Sequence, residues 1–316
     1  MTNPDIDPKI SVITVNKNGG KFLRETLNSV RDQEFKDYEH IVIDGASTDN
    51  SLEILMDYPD VSWISELDKS PNEAFRKGFR MAKGKYIMVM CVSDKYLSNT
   101  WFTRCVEVLE SDQDISLIWG LSVNMNELGD ITSVWSPWWF DSMPPQKKNF
   151  FNFWVATAAY LPELNYCVRK DIYLKCFPEE VEGDLMSSFN PFLLMIFNFM
   201  KQGYQPYFLR IIAHCGRVHD GQITQKMHSQ EMRTRKIYRS LVRNYLIKIL
   251  IGAERHQFRD GTQTIVDNLS VGHRIALPFL VVYYKVLLAL IKTTNFGRIK
   301  TAILKKIKLH SSRFTE

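Results

Sequence analysis

Residues 10–91 alternate short apolar runs with amphipathic segments, and this alternation constrains the fold more than any other feature of the chain. The apolar runs predict strands at 10–15, 40–43, 61–65 and 86–90, and the segments between them predict helices at 21–32, from 51 onward and at 71–82. Strands joined through helices form βαβ units, which build a mostly parallel sheet. The sequence therefore predicts an α/β fold whose sheet is flanked by helices.

Polar residues follow each of these four strands. Asn16, Asp44 and Glu66 come directly after the first three strands, and Asp94 follows the fourth within MVMCVSDKYL (88–97). Ligands bind at the carboxyl ends of the strands in such sheets. These four side chains are therefore expected to converge on one ligand-binding edge.

Beyond residue 115 the alternation loosens. Residues 116–135 predict a β-hairpin with its turn near 127–130, and a long helix is predicted over about 224–251. Residues 135–154 are rich in tryptophan and phenylalanine. These rings either stack on sugar faces or belong to the core, and the core is the commoner place for any single ring.

Charge is unevenly placed, although the net charge of +5 is modest. Lysine and arginine crowd the stretch after Met232, which favours contact with an anionic surface such as lipid or nucleic acid. Five cysteines without a CxxC pair argue against a disulfide framework and indicate a reduced, cytosolic setting. The N-terminus lacks the pattern of a signal peptide, and the motifs GxGxxG, GxxxxGK[ST] and HExxH are absent.

Three segments occur in a fixed order that carries more weight than any one of them. They are ITVNKNGG at the first strand, IDGASTDNS at the second, and SELDKSPNEAFRKGFRMAKGKYIMVM at the third and fourth. Together they resemble the family 2 glycosyltransferases of the GT-A fold, in particular the bacterial branch that assembles polysaccharide and lipopolysaccharide. The resemblance is good over about residues 9–97 and weaker to about 230.

The resemblance implies a site for a nucleoside diphosphate sugar. Thr14 and Asn16 would lie beside the nucleotide, Asp44 would accept a hydrogen bond from the base, and Asp68 would line the ribose–pyrophosphate pocket. Asp94 would be the last member of the family's acidic triplet, which holds a divalent cation (Mn²⁺ or Mg²⁺) against the diphosphate.

The chain departs from the family pattern at two places in this site. Where the family shows Asp/Asn-x-Asp-Asp, the chain has Val92-Ser93-Asp94-Lys95, so Lys95 stands at the place of the second adjacent acid. Lys95 either pairs with phosphate as a point charge or points to solvent. Arg76 replaces a family residue on the third helix and is either a phosphate-binding fork or an exposed helix residue.

Inverting transfer needs a carboxylate that takes the proton from the acceptor hydroxyl. The segment FPEEVEGDLMSSFNPFLL (177–194) occupies the family's place for this base, and Asp184 is the candidate. Spacing aligns the family acid better with Asn190, which cannot act as a base, and the other acids of the segment (Glu179, Glu180 and Glu182) are alternatives. His219, in RVHDGQIT, aligns with a family histidine that would approach the metal or the diphosphate.

These observations predict a GT-A domain over 1–222, with a nucleotide-binding half at 9–97 and an acceptor half at 98–222. Residues 223–316 are predicted to form a helical, basic extension. The implied function is inverting transfer of a sugar from a nucleoside diphosphate donor, expected to be UDP-linked, to a glycan or lipid-linked acceptor in surface polysaccharide assembly. The alternative is a degenerate GT-A domain that only binds nucleotide-sugar, glycan or a partner. Nucleic-acid binding is disfavoured because no readout motif accompanies the basic charge, and the oligomeric state is open.

The segment 275–309 predicts contact with a membrane surface. Residues 275–291 are apolar except for Lys285, and Phe296, Ile299, Ile303 and Ile307 recur at spacings of three and four among basic residues. This is the pattern of a helix that lies in the bilayer surface. The alternative is a helical pair packed on the GT-A domain or on a second subunit. The expected location is cytoplasmic, peripheral to the inner face of the membrane.

Overall fold

The computed structural model describes residues 7–135, 148–159, 161, 164–181, 183–184, 190–220, 222 and 228–259. Its elements are, in chain order, β1 (Ile10–Asn16), α1 (Gly20–Arg31), β2 (Tyr38–Asp44), α2 (Ser51–Met56), β3 (Val61–Ser65), α3 (Pro71–Met81), β4 (Tyr86–Cys91), β5 (Lys95–Tyr96), α4 (Trp101–Ser111), β6 (Ile115–Met125), β7 (Ile131–Trp135), α5 (Lys148–Thr157), β8 (Tyr166–Arg169), α6 (Lys170–Cys176), α7 (Pro191–Lys201), β9 (Gln205–Arg217) and α8 (His228–Leu250). The strands and helices predicted between residues 10 and 91 are confirmed.

One sheet carries all nine strands, in the order β3-β2-β1-β4-β8-β6-β9-β5, with β7 paired to β6. The first four strands of this order pair in parallel with one another, as predicted. The second half is mixed, because β8 runs antiparallel to both β4 and β6 while β6 and β9 are parallel. The predicted hairpin is the antiparallel pair β6–β7.

Strands β1 and β4 of the parallel half are buried on both faces, which is why they are almost continuously apolar. Every residue of β1 is buried. Helix α3 packs closely on this strand, since a Cβ built on Gly78 would lie 2.3 Å from Ile13 Cγ2. The helix begins at Pro71, and the Ser70 hydroxyl caps it by accepting from the Glu73 N–H at 3.2 Å.

Helix α8 confirms the predicted long helix and belongs to the same core as the sheet. Its buried residues pack with α5 and α7, and the Trp154 indole N–H donates to the Tyr238 hydroxyl at 2.8 Å. Of the aromatic stretch, Phe150, Phe151 and Trp154 are buried, so these three rings are core residues. Residues 136–147 lie outside the described residues.

All five cysteines are free thiols. In the part of the chain that the structure describes, no helix is both long and apolar enough to cross a membrane. The predicted membrane segment, 275–309, lies outside the described residues.

Candidate active site

The ends of the first three strands meet as predicted. Asn16, Asp44 and Ser65 lie side by side in the sheet register, and the Asn16 amide donates to Asp44 Oδ1 at 2.6 Å. The Gly19 backbone covers the Asn16 side chain, because a Cβ at residue 19 would lie 2.4 Å from Asn16 Oδ1. Asn16 is therefore an interior residue of this edge, and its contact with a nucleotide stays a prediction.

Asp44 is fully buried, and groups of the protein already fill the acceptor sites of its carboxylate. Besides Asn16, the Ser47 hydroxyl donates to Oδ1 (2.5 Å), and the Ser47 N–H and the Ser65 hydroxyl donate to Oδ2 (2.9 and 2.6 Å). An ionised carboxylate offers about four lone-pair sites. In this structure Asp44 therefore ties the strand ends to the turn at 45–47, which differs from the predicted contact with the base.

Thr14 lies deeper in the sheet than predicted. It is fully buried, and its hydroxyl is hydrogen-bonded to His40 Nε2 at 2.9 Å. Burial lowers the pKa of His40 to about 4. This pair belongs to the interior of the sheet, so the predicted place of Thr14 beside the nucleotide is not where the structure puts its side chain.

Asp68 lies in front of the strand ends, close to Gly45. A Cβ at Gly45 would lie 3.4 Å from Asp68 Oδ2 and 3.3 Å from Lys17 Cδ. Lys77 Nζ lies 2.6 Å from Asp68 Oδ1 and 2.8 Å from Glu66 Oε1, and these carboxylates raise the pKa of Lys77. Asp68 thus lies at the predicted edge, with a lysine fixing its orientation.

Asp94 lies on the turn after β4, and its carboxylate points into the protein. The Arg217 N–H donates to Oδ1 at 3.0 Å, and His214 Nε2 lies 3.4 Å from Oδ2. The other ring nitrogen of His214, Nδ1, is hydrogen-bonded to the Ser122 hydroxyl at 3.0 Å. Because Ser122, His214 and Asp94 are all buried, the arrangement orients the carboxylate rather than offering Ser122 as a nucleophile.

Ser93 has a φ of 84°, in the left-handed region that a non-glycine residue rarely adopts. Two interior contacts hold this turn: the Ser93 N–H donates to Thr26 Oγ1 at 3.2 Å, and Arg217 Nε donates to the Ser93 carbonyl at 3.2 Å. Such strain persists only where the surroundings enforce it. The role of Ser93 in donor binding stays a prediction.

Lys95 takes neither of the two predicted positions. Its ammonium group pairs with Glu25 of α1, and the same carboxylate pairs with the buried Arg217 guanidinium. Arg217 also donates to the carbonyls of Asn126 and Glu127. Lys95 is therefore part of a charge network that joins α1, β5, β9 and the β6–β7 turn, and not a free phosphate-binding cation.

Arg76 and one of the candidate bases, Glu180, pair with each other. Arg76 Nη1 lies 3.0 Å from Glu180 Oε2, and Nη2 donates to the Pro178 carbonyl at 2.7 Å. Arg76 is thus not an exposed helix residue, and its role as a phosphate fork stays a prediction. Its side chain fastens the segment after α6 to α3.

The remaining candidates for the base lie along the same segment. Asp184 follows a tight turn in which its N–H donates to the Val181 carbonyl at 3.0 Å, and Glu182 lies outside the described residues. Asn190 caps α7, and its amide donates to the buried Glu231 of α8 at 3.1 Å. The assignment of Asp184 as the base stays a prediction.

The described residues do not fit a metal ion held by the protein. His219 packs against the Phe22 ring, with 5.1 Å between ring centroids, while the histidine beside Asp94 is His214. Within the described ranges no group of three or more histidine, cysteine, aspartate or glutamate side chains could hold a metal. One Asp94 oxygen is already bonded to the Arg217 N–H, and the predicted metal contact of Asp94 and His219 stays a prediction.

Sequence reasoning missed the groups that hold the Asp94 turn, namely Thr26, Ser122, His214 and Arg217. Ser122 lies on β6 and the last two lie on β9, and these strands pair in parallel at residues far apart in the chain. The buried positions in these strands were readable from their apolar neighbours. The sequence around the polar residues of these strands does not indicate which side chains they contact.

Comparison with known proteins shows which family and which proteins this chain is similar to. The sequence model described as Glycosyl transferase family 2 matches residues 11–167. An uncharacterized glycosyltransferase of Nostoc sp. is 25% identical over 177 residues, covering 54% of this chain and 53% of that protein. The poly(ribitol-phosphate) beta-N-acetylglucosaminyltransferase TarS of Staphylococcus aureus is 28% identical over 123 residues, covering 37% of this chain and 22% of TarS.

Solved structures extend the likeness beyond the matched sequence. TarS 1–349 in complex with UDP-GlcNAc superposes with a TM-score of 0.56 and 15% identity, covering 87% of this chain and 72% of that one. The mannosyltransferase PcManGT of Pyrobaculum calidifontis, in complex with GDP-Man and Mn²⁺, gives 0.52 and 13% identity, covering 99% of this chain and 81% of that one. At such identities the likeness concerns the fold, and it confirms the predicted GT-A fold. The chain spans about half or less of the length of both curated relatives.

Proposed function

Because the chain belongs to glycosyl transferase family 2 through residues 11–167, we propose that it transfers a sugar from a nucleoside diphosphate sugar to a glycan or lipid-linked acceptor. The donor in this proposal is UDP-linked and the product is a surface polysaccharide. Transfer is a direct displacement with inversion: the acceptor oxygen bonds to the anomeric carbon while a carboxylate takes the hydroxyl proton. The bond from the anomeric carbon to the diphosphate oxygen breaks, and the nucleoside diphosphate leaves.

One observation carries the proposal. The family match spans the whole strand-end edge, including Asp44, Asp68 and Asp94, and the structure brings the first two to one side of the sheet. The complex of TarS with UDP-GlcNAc supports a UDP-linked donor, and the acceptor in the name of TarS supports a polymer as the acceptor. Because the mannosyltransferase structure contains GDP-Man, GDP-sugars are included among the donors to be tested.

In the proposed reaction the residues of this chain bind and orient the donor and the acceptor. Asp68 lies beside Gly45 at the strand ends that would receive the donor, and Asp94 holds the turn after β4 in place through its contacts with His214 and Arg217. Asp184 takes the acceptor proton, with Glu179 as the alternative on the same segment. Because the described residues do not fit a metal ion, no step is routed through one.

The test is turnover of UDP-, GDP- and CMP-sugars, each with and without Mn²⁺ or Mg²⁺, by the full chain and by Asp94→Asn. The asparagine keeps the shape and the acceptor for the Arg217 N–H but removes the charge, and we expect turnover to fall on the order of 100-fold. Asp114→Asn, an exposed acid away from the site, is the control and should leave turnover unchanged. Equal turnover in the two variants would remove Asp94 from the mechanism.

The second candidate function is a degenerate GT-A domain that binds a nucleotide-sugar without turnover. It is favoured by the pairing of Arg76 with Glu180 and by Asn190 at the place of the family acid. It predicts that a nucleotide-sugar raises the melting temperature of the chain while no sugar is released or transferred under any metal condition. Release of UDP from a UDP-sugar excludes this candidate.

We also propose that the protein works in the cytoplasm at the inner face of the membrane, through residues 275–309. The support is the sequence pattern of that segment and the lipid-linked acceptor of the proposal. Flotation with anionic liposomes of the full chain and of a chain ending at Gly272 tests it. Equal flotation of both chains excludes the segment as the anchor.

A further inference from the structure

The exposed side of α8 carries positive charge along its length. Arg233, Lys236, Arg239 and Arg243 are all exposed, and they recur at intervals of three and four residues. At 100° per residue these intervals place all four on one half of the helix surface. The single acidic residue of the helix, Glu231, is buried on the opposite side, where it bonds with Asn190 and Arg235.

The positive charge of this surface is not compensated within the described part of the chain. None of the four side chains forms an ion pair with a described residue, although arginines elsewhere on the surface do, as in Arg31–Asp60 and Arg104–Glu107. The four cations span residues 233–243 of this helix, roughly 15 Å, and make a concentrated positive field. The field favours an anionic partner of comparable extent.

Apolar side chains are interspersed with these cations. Met232 is 45% exposed and Ile247 is 46% exposed, and both lie on the same half of the helix as the arginines. The opposite half, including Tyr238, Val242 and Tyr245, is buried in the core. The helix is therefore fixed to the domain by one side and presents a mixed cationic and apolar surface on the other.

We propose that this surface (Arg233, Lys236, Arg239 and Arg243 with Met232 and Ile247; here the basic face) docks on a bilayer that contains anionic phospholipid. Cations beside exposed apolar side chains suit a bilayer surface, where the cations meet headgroups and the apolar groups enter the acyl boundary. A nucleic acid would use the cations alone. The proposal concerns a surface separate from residues 275–309 and does not depend on glycosyl transfer.

Residues 260–316 of the chain itself are poorly suited to cover the basic face. Residues 260–316 contain nine lysines and arginines against three acids, so this segment carries the same sign of charge as the face. Like charges repel at close range. An external anionic surface is therefore favoured over an intramolecular cover.

The experiment is flotation of the full chain with vesicles of phosphatidylcholine alone and of phosphatidylcholine mixed with phosphatidylglycerol. The test variant carries Arg233→Gln, Lys236→Gln, Arg239→Gln and Arg243→Gln. The control variant removes the same charge from other exposed positions through Lys36→Gln, Arg80→Gln, Lys83→Gln and Arg104→Gln. Melting temperatures of both variants check that the fold is retained.

We expect the full chain and the control variant to float with the anionic vesicles only. The test variant should bind them more weakly, on the order of 100-fold, since each cation near an anionic bilayer contributes separately. Flotation of the test variant equal to that of the unchanged chain overturns the proposal. So does an equal loss in both variants, which would assign binding to net charge, and so does failure of the full chain to float at low salt.

A second variant separates the bilayer from other polyanions. Met232→Gln with Ile247→Gln should weaken flotation while leaving salt-sensitive binding to duplex DNA unchanged. If this variant floats as well as the unchanged chain while the four-charge variant loses both vesicles and DNA, the face binds polyanions in general. That result overturns the bilayer as the occupant.

Discussion

At the scale of single residues, Asp44 shows how a buried carboxylate organises the edge that would receive a donor. Four donors converge on its two oxygens, from Asn16, Ser47 and Ser65. In Asp44→Asn one oxygen becomes an amino group that faces donors, and the Ser47 backbone N–H cannot turn away. We expect the free energy of unfolding to fall by about 1–3 kcal/mol in the absence of nucleotide, measured by urea denaturation.

Asp60→Asn is the matched control for this prediction. Asp60 is half exposed and pairs with Arg31, so its loss should cost less than about 1 kcal/mol. Calorimetry of UDP binding to Asp44→Asn distinguishes the two roles of Asp44. Unchanged stability together with weakened UDP binding would show that the carboxylate serves the ligand and not the strand ends.

His40 predicts a pH dependence of stability. Burial lowers its pKa to about 4 from an ordinary value of 6.5, so the folded protein holds the imidazole neutral while the unfolded chain binds a proton below pH 6.5. The contribution of neutral His40 to the free energy of unfolding is fully present above pH 6.5 and is lost as the pH falls towards 4. Its full size is about 3 kcal/mol, because one pKa unit corresponds to about 1.4 kcal/mol.

The measurement is urea denaturation from pH 7 to pH 4 on the unchanged chain, His40→Gln and the exposed-site control His228→Gln. Acidic groups titrate in the same range, so the quantity of interest is the difference between curves. His40→Gln should lose stability less steeply with falling pH, and His228→Gln should follow the unchanged chain. Parallel curves for all three proteins would show that His40 does not titrate as described.

At the scale of elements, Arg76 on α3 fastens the segment that follows α6. It donates to the Pro178 carbonyl and pairs with Glu180, and its guanidinium lies 5.5 Å from the Phe177 ring centroid. Arg76→Ala should therefore increase proteolytic cleavage within 177–184 and lower stability by about 1–3 kcal/mol. The affinity for UDP should stay within about twofold, because the side chain is engaged by protein groups.

Arg80→Ala is the control on the same helix, one turn further on. Arg80 is exposed, so its removal should change neither cleavage nor stability by more than about 0.5 kcal/mol. Limited proteolysis with mass spectrometry and calorimetry of UDP binding give the two readouts. A large loss of UDP affinity in Arg76→Ala with unchanged cleavage would restore Arg76 as a phosphate-binding residue.

At the scale of the whole molecule, α8 closes the core that the sheet begins. Six apolar side chains from this helix and the residues after it are buried: Tyr238, Val242, Tyr245, Leu246, Ile249 and Phe258. Burial of one such side chain contributes about 1.5–3 kcal/mol, and the whole stability of a domain is only about 5–15 kcal/mol. A chain ending at residue 222 should therefore lose cooperative unfolding, as followed by circular dichroism during heating.

A chain ending at residue 259 is the control, since it keeps all six of these side chains. It should unfold cooperatively. A cooperative transition of the shorter chain at the temperature of the full chain would show that residues 1–222 form an independent domain. The domain boundary predicted at 222 would then coincide with a folding unit.

The sequence alone determined the parallel half of the sheet and its polar edge. Residues 10–91 carry their pattern locally, because each buried strand is apolar and each helix has one apolar side, and neighbouring strands pair in chain order. The place of Asn16 and Asp44 at adjoining strand ends follows directly from that pattern. The family resemblance rested on the same residues.

Only the tertiary structure decided the partners of the charged side chains. Asp94 meets the backbone of Arg217, 123 positions away, and Lys95 and Arg217 share Glu25 on α1. Periodicity reports which positions are buried, but it contains no information on which distant group lies opposite them. A buried charge takes the partner that the packed strands bring to it, since leaving it unpaired is costly. For this reason Asp94, Lys95 and Arg76 were recognisable as candidates in the sequence, while what each of them holds was set by the packing of β9, α1 and the segment after α6.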